Sequence, residues 1–126
     1  MVIELVGSKA RLMLSGQPEW CELRLETLGR EIELGADSAA VVLGRLASAV
    51  AEPLTLEPAG EIGGLSVAWV VSLSEQHTTI YVGASKSRRV LFFQDADGRT
   101  LARVDLDERR RGEWSEKLRA AQQDAS

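Results

Sequence analysis

The residues best suited to chemistry in this 126-residue chain gather around one turn: Lys86, Arg88 and Arg89, with Tyr81, Phe92 and Phe93 on the strands expected to flank it. Cations that track a phosphate backbone and aromatic faces on which bases stack are the ingredients of single-stranded nucleic-acid binding, and this segment has both. The same residues have an ordinary reading. Hairpin tips carry Lys and Arg in solvent, and Phe92 and Phe93 are natural core residues. A second group lies further on. Arg109, Arg110 and Arg111 extend the basic character, but Glu108, Glu113 and Glu116 lie within a helical turn and offset their field. Trp114 and Leu118 form the apolar stripe of the same helix, so with Arg110 and Arg111 they make a candidate partner-binding surface; the default is that the stripe docks on the chain's own sheet.

Other chemistries find little support. Asp95-Ala96-Asp97-Gly98 begins like a calcium loop, but Leu106 stands where a bidentate glutamate is needed, so the segment is read as a turn. His77 is the only histidine and Cys21 the only cysteine, which excludes a multi-histidine or multi-cysteine metal site and an internal disulfide. Cys21 alternates with Leu23 on a strand pattern and is expected to be buried and unreactive. No Gly-x-Ser-x-Gly elbow, phosphate loop or dinucleotide fingerprint occurs, and Glu31 and Glu33 read as solubilising groups on an outer strand face. The expectation is a non-enzymatic protein with no cofactor and no metal.

Composition narrows the class further. Hydrophobic residues make up 44% and charged residues 27%, which is globular, and the net charge of -4 disfavours a general nucleic-acid binder while permitting a local basic patch. No apolar run approaches the roughly 18 to 20 residues of a membrane span, since Gly7-Ser8-Lys9 and Arg45 interrupt the candidates. The N-terminus lacks the basic and apolar regions of a secretory signal, so no membrane association and a cytoplasmic location are expected.

The elements that must position these residues follow from periodicity. Val2 to Val6 and Ala10 to Leu14 read as a hairpin, and Trp20 to Leu28 alternates Cys21, Leu23 and Leu25 against Glu22, Arg24 and Glu26. A turn at Gly29-Arg30 leads into a short strand with Ile32 and Leu34 inward. A helix capped by Asp37 or Ser38 then carries Ala39, Val42, Leu43, Leu46, Ala49 and Val50 at helical spacing, ending before Pro53. Leu54 to Glu57 is expected as a short edge strand, followed by a loop through Pro58, Gly60, Gly63 and Gly64. Leu65, Val67, Trp69, Val71 and Leu73 are assigned to one face of a long strand. Strands at His77 to Val82, Val90 to Gln94 and Arg99 to Leu106 then lead to a final helix capped by Asp107.

The order repeats. An offset of about seventy residues sets Ile32 on Ala102, Leu34 on Val104 and Asp37 on Asp107, each time a strand, a Gly/Arg turn, a strand and an aspartate cap. The expected fold is α+β: one domain over 1–126 with pseudo-repeat halves at about 1–52 and 65–123, each four antiparallel strands and a helix, meeting near Gly63-Gly64. This order resembles the single-stranded DNA-binding fold of the Whirly proteins and the positive-cofactor coactivators. Gly98 to Leu118, a hairpin strand leading into a Trp-bearing helix, is the local stretch most like it. The resemblance is topological, and it implies single-stranded nucleic-acid binding through the sheets. Two functions therefore stand open: a binding or scaffold protein for an unknown partner or for a second copy of itself, and a Whirly-like single-stranded nucleic-acid binder using Lys86, Arg88, Arg89 and Tyr81.

Overall fold

A computed structural model describes residues 1–124. Four antiparallel strands, β1 (Val2–Gly7), β2 (Ala10–Gly16), β3 (Trp20–Thr27) and β4 (Arg30–Ser38), form an N-terminal sheet in sequence order and lead into α1 (Ala39–Val50). Five more, β5 (Pro58–Ile62), β6 (Leu65–Ser72), β7 (Thr79–Ser85), β8 (Arg88–Gln94) and β9 (Thr100–Leu106), form a C-terminal sheet, again in order, and lead into α2 (Glu108–Asp124). The class is α+β with two antiparallel sheets, as expected, but the second sheet has five strands rather than four.

The extra strand corrects the expected path after α1. Residues 54–57 are not a strand; Leu54 and Leu56 pack against the core from a loop, and the edge strand is β5. Pro58 and Gly60 read as loop signals, yet both are tolerated here because β5 is an edge strand with Pro58 at its first position and an irregular register before Glu61. Gly63-Gly64 is accordingly a hairpin turn inside the C-terminal sheet, and the segment leading from α1 into that sheet is 51–57.

A second correction concerns β6. A bulge between Trp69 and Val71 reverses the alternation, so Leu65, Val67 and Trp69 share the outer face while Val71 and Leu73 join the core. Trp69 and Val71 therefore do not share a face.

The core joins both halves. Leu5, Leu12, Leu14, Leu23 and Leu25 of the N-terminal sheet, Val42, Leu43 and Leu46 of α1, Val82, Leu91 and Phe93 of the C-terminal sheet, and Trp114 and Leu118 of α2 form one buried cluster. The helices pack on each other, and each also reaches across: α1 lies against β6 and α2 against β1. The sheets touch directly at two seams, where Ser8 N–H donates to Asp105 O at 3.0 Å and Glu75 N–H donates to Ala36 O at 3.1 Å. A glycine stands at each seam. A Cβ on Gly7 would strike Val104, and one on Gly35, whose φ is +128, would strike the Glu75 carbonyl.

The helix entries differ. Asp107 caps α2, its Oδ1 accepting Arg110 N–H at 2.8 Å, a bond that holds the carboxyl below its usual pKa. Ser38 makes no side-chain cap on α1; instead Ala39 N–H donates to Glu19 O at 3.1 Å. Asp37 accepts from Ser38 N–H at 2.7 Å and Ser74 N–H at 3.0 Å, joining the helix entry to the β6–β7 loop rather than capping the first turn.

Candidate nucleic-acid interface

The outer face of the C-terminal sheet carries a row of aligned side chains. The register pairs Trp69 of β6 with Tyr81 of β7, Tyr81 with Phe92 of β8, and Phe92 with Arg103 of β9. Directly opposed residues on one face lie close enough for side-chain contact, so these four form a continuous band across the strands. A guanidinium stands at each end: Arg103 Cζ is 5.7 Å from the Phe92 ring centroid, and Arg45 Cζ is 4.7 Å from that of Trp69. Phe92 is buried beneath its neighbours, Tyr81 is half-buried, and Trp69 is 36% exposed.

On either side of this band the sheet surface opens into a groove. One, of about 420 Å³, is lined by Gly83, Ser85, Arg88, Val90, Arg103 and Arg110, with Asp105 and Asp107 on its wall. Its floor is low where Gly83 lacks a side chain between Val67 and Val90. The other, of about 300 Å³, is polar, with Ser72, His77, Thr79 and Gln94 beside Tyr81. His77 lies in the β6–β7 loop with a left-handed backbone (φ +53), not at a strand start, because β7 begins at Thr79.

The basic residues around the β7–β8 turn divide into two kinds. Lys86 and Arg88 are exposed, and Arg88 lines the groove. Arg89 is 1% exposed, and its guanidinium donates to Ala49 O at 3.1 Å, Ala51 O at 2.6 Å, Lys86 O at 3.2 Å and Arg88 O at 3.0 Å. Burial lowers its pKa, while Glu52, 3.7 Å away, opposes the shift. Arg111 completes the arrangement by donating to Ser87 O and Val50 O, each at 2.9 Å. Two guanidiniums thus satisfy carbonyls along residues 49–51 at the end of α1 and residues 86–88 of the turn. Arg89 and Arg111 are inward-facing fasteners of the turn that presents Arg88.

Trp114 and Leu118 are also internal. Trp114 is buried, with its indole N–H donating to Val6 O at 2.8 Å, and both side chains belong to the shared core. The stripe docks across on β1 as well as on α1, so of the four candidate partner residues Arg110 alone lines the surface groove. Phe93 is in the core and Phe92 on the outer face.

Three residues of this face, Trp69, Arg45 and Arg103, escape sequence reasoning. The sequence reading puts Trp69 on one face with Val71 and Leu73, because the bulge beside it leaves no mark in the apolar pattern. Arg45 enters the sequence reading only as a charge that interrupts an apolar run. Arg103 sits in a strand of mixed polarity; its period-two partnership with Phe92 would have required the β8–β9 register.

Elsewhere the chemistry is quieter. The Cys21 thiol is buried, and desolvation pushes its pKa up to about 11, so it is a thiol and not a thiolate at neutral pH. Among the described residues no group of three or more His, Cys, Asp or Glu side chains is placed to hold a metal ion, and no helix is long and apolar enough to cross a membrane. No protein-family model, curated protein or solved structure matches the chain.

Proposed function

We propose that this chain is a non-enzymatic binding protein whose working surface is the outer face of the C-terminal sheet, and that the ligand is single-stranded nucleic acid. The observation that carries this reading is the cross-strand band Trp69–Tyr81–Phe92 with a guanidinium at each end. Unpaired bases expose flat faces that stack on accessible aromatic rings, and Trp69 and Tyr81 are the accessible rings of the band. Phosphates need cations at the margin: Arg88, Arg103 and Arg110 line the groove there, Arg103 in a 2.8 Å pair with Asp105 that a phosphate would have to share, and Lys86 is exposed in the adjoining turn. The repeated strand order that resembles the Whirly fold agrees with this use of a sheet face.

Fluorescence anisotropy of labelled oligothymidylate and oligouridylate tests the proposal. Binding should weaken steeply between about 50 mM and 200 mM salt as phosphate contacts are screened and counterions reclaimed. Trp69→Ala and Tyr81→Ala should each cost about 1–3 kcal/mol of affinity, the range for one stacked base. Failure to bind at low salt, or unchanged affinity in both variants, counts against it.

A second reading is favoured by the apolar residues on the same face, Leu65, Val67 and Val90, together with the net charge of -4. In that reading the face holds a protein partner or a second copy of the chain. Light scattering across a concentration series separates self-association, which raises the mass, from a heterologous partner, which leaves a monomer.

A further inference from the structure

We propose that Arg45 is a positioning residue that holds Trp69 as a preset, one-sided platform for a single unpaired base. The inference rests on the nucleic-acid reading above and adds to it which ring anchors the ligand and what orients that ring.

Arg45 is the only charged residue of α1 and is partly exposed, whereas the buried positions of the helix are Ala, Val and Leu. It reaches past the edge of β6, where Nε donates to Val70 O at 2.6 Å and Nη2 to Trp69 O at 3.1 Å. The bulge between Trp69 and Val71 and the shortness of β5 make those carbonyls reachable: β5 pairs with β6 only as far as Ala68, and Trp69 N–H is taken by Glu57 O at 3.0 Å. The backbone bonds fix the guanidinium, and it lies over the indole at 4.7 Å from the centroid. The ring is held at its edge as well. Trp69 Nε1–H donates to Ser72 Oγ at 3.0 Å, and Ser72 Oγ is 3.1 Å from Thr79 Oγ1.

Indole orientation is therefore set from one face and one edge before any ligand arrives, and 36% of the residue remains exposed. A ring that need not be immobilised on binding loses less entropy when a base stacks on it. A base on the uncovered face would complete a sandwich of guanidinium, indole and base, with the cation drawn to the ring quadrupole. A purely structural Arg45, satisfying carbonyls at a bulge, would make the fold more stable without distinguishing a ligand that has bases from one that lacks them.

The test compares wild type, Arg45→Met and Arg45→Lys, with Trp69→Ala as reference, for affinity towards oligothymidylate and towards an abasic oligonucleotide of equal length. Trp69→Ala should weaken the first and spare the second. Both Arg45 variants should weaken oligothymidylate by roughly two- to fivefold, the yield of a guanidinium placed over a ring, and leave the abasic ligand unchanged. Arg45→Lys keeps the charge and hydrogen-bond donors but not the planar fork that spans two carbonyls, so it carries the test if Arg45→Met fails to fold. Equal losses on both ligands, or none on either while Trp69→Ala is impaired, overturn the role of Arg45 alone. If wild type binds neither oligonucleotide, the nucleic-acid reading falls and this inference with it.

Discussion

The outer faces of the two sheets can be compared strand for strand, because β1–β4 and β6–β9 run in the same order and each series feeds a helix. On the N-terminal sheet that face bears Glu4, Arg11, Glu22, Arg24, Glu26, Glu31 and Glu33, with one exposed ring, Trp20, at the start of β3 and no second ring in register with it. Arg11 is paired with Glu4 and Glu26, which raise its pKa, and Arg24 with Glu31 at 2.9 Å. Arg11 and Arg24 are thus engaged by carboxylates, the excess charge of the face is negative, and its open trough of about 410 Å³ is lined by Lys9, Arg11, Glu26, Arg30 and Glu31 with no aromatic ring. On the C-terminal sheet the corresponding face bears rings in register and arginines at the margin, of which Arg103 is also paired with Asp105 at 2.8 Å. One architecture thus supports a salt-bridged, solvated surface and a stacking surface, and the difference lies wholly in the outward residues, which the core does not constrain.

Arginines sharpen that comparison, since they serve opposite ends in the two places. The largest effect is expected at Arg89, whose loss leaves four backbone carbonyls without a buried charged donor. Arg89→Met should lower unfolding free energy by about 3 kcal/mol, whereas Arg24→Met, breaking an exposed pair, should change it by no more than about 0.5 kcal/mol. Urea titration of the two variants checks this, and comparable losses would contradict the division into fasteners and surface pairs.

Next comes charge reversal on each face. Arg88→Glu combined with Arg103→Glu should weaken oligonucleotide binding at least about tenfold and reduce the salt slope by about 2, one for each phosphate contact. Arg11→Glu with Arg24→Glu removes as many cations from the other face and should leave affinity nearly unchanged. A similar loss in both variants would mean that net charge, not the face, governs binding.

The smallest effect concerns the two helix entries. Asp107 has a depressed pKa in the folded chain, chiefly through its bond from Arg110 N–H, so its contribution is complete above the unfolded carboxyl pKa and is lost as pH falls through the folded value. Asp107→Asn has no such carboxyl to protonate. Thermal melts from acid to neutral pH should therefore show wild type gaining stability over the variant as pH rises, and parallel curves would contradict the assignment.

Much of the frame was legible in the sequence because alternation and capping are local. Cys21, Leu23 and Leu25 point inward as their spacing requires, α1 follows its apolar periodicity, and Asp107 caps α2. What escaped depends on contacts distant in the chain. The bulge at Trp69 is a property of β6 against β5 and β7, and it alone turns a residue of core type towards solvent. Arg89 and Arg111 look like surface cations in sequence, because the carbonyls they bind belong to α1 and the β7–β8 turn, brought together only by the packing of the halves. β5 was hidden by Pro58 and Gly60, which an edge can accept and an interior strand cannot.

The claim that one face binds and the other does not is tested most directly by ¹⁵N–¹H spectra recorded while unlabelled oligothymidylate is titrated into the protein at low salt. The account predicts shifts concentrated at Val67, Trp69, Tyr81, Gly83, Val90, Phe92 and Arg103, with amides of β1–β4 unmoved. Shifts centred on the N-terminal sheet, or a spectrum unchanged at saturating ligand, would contradict it.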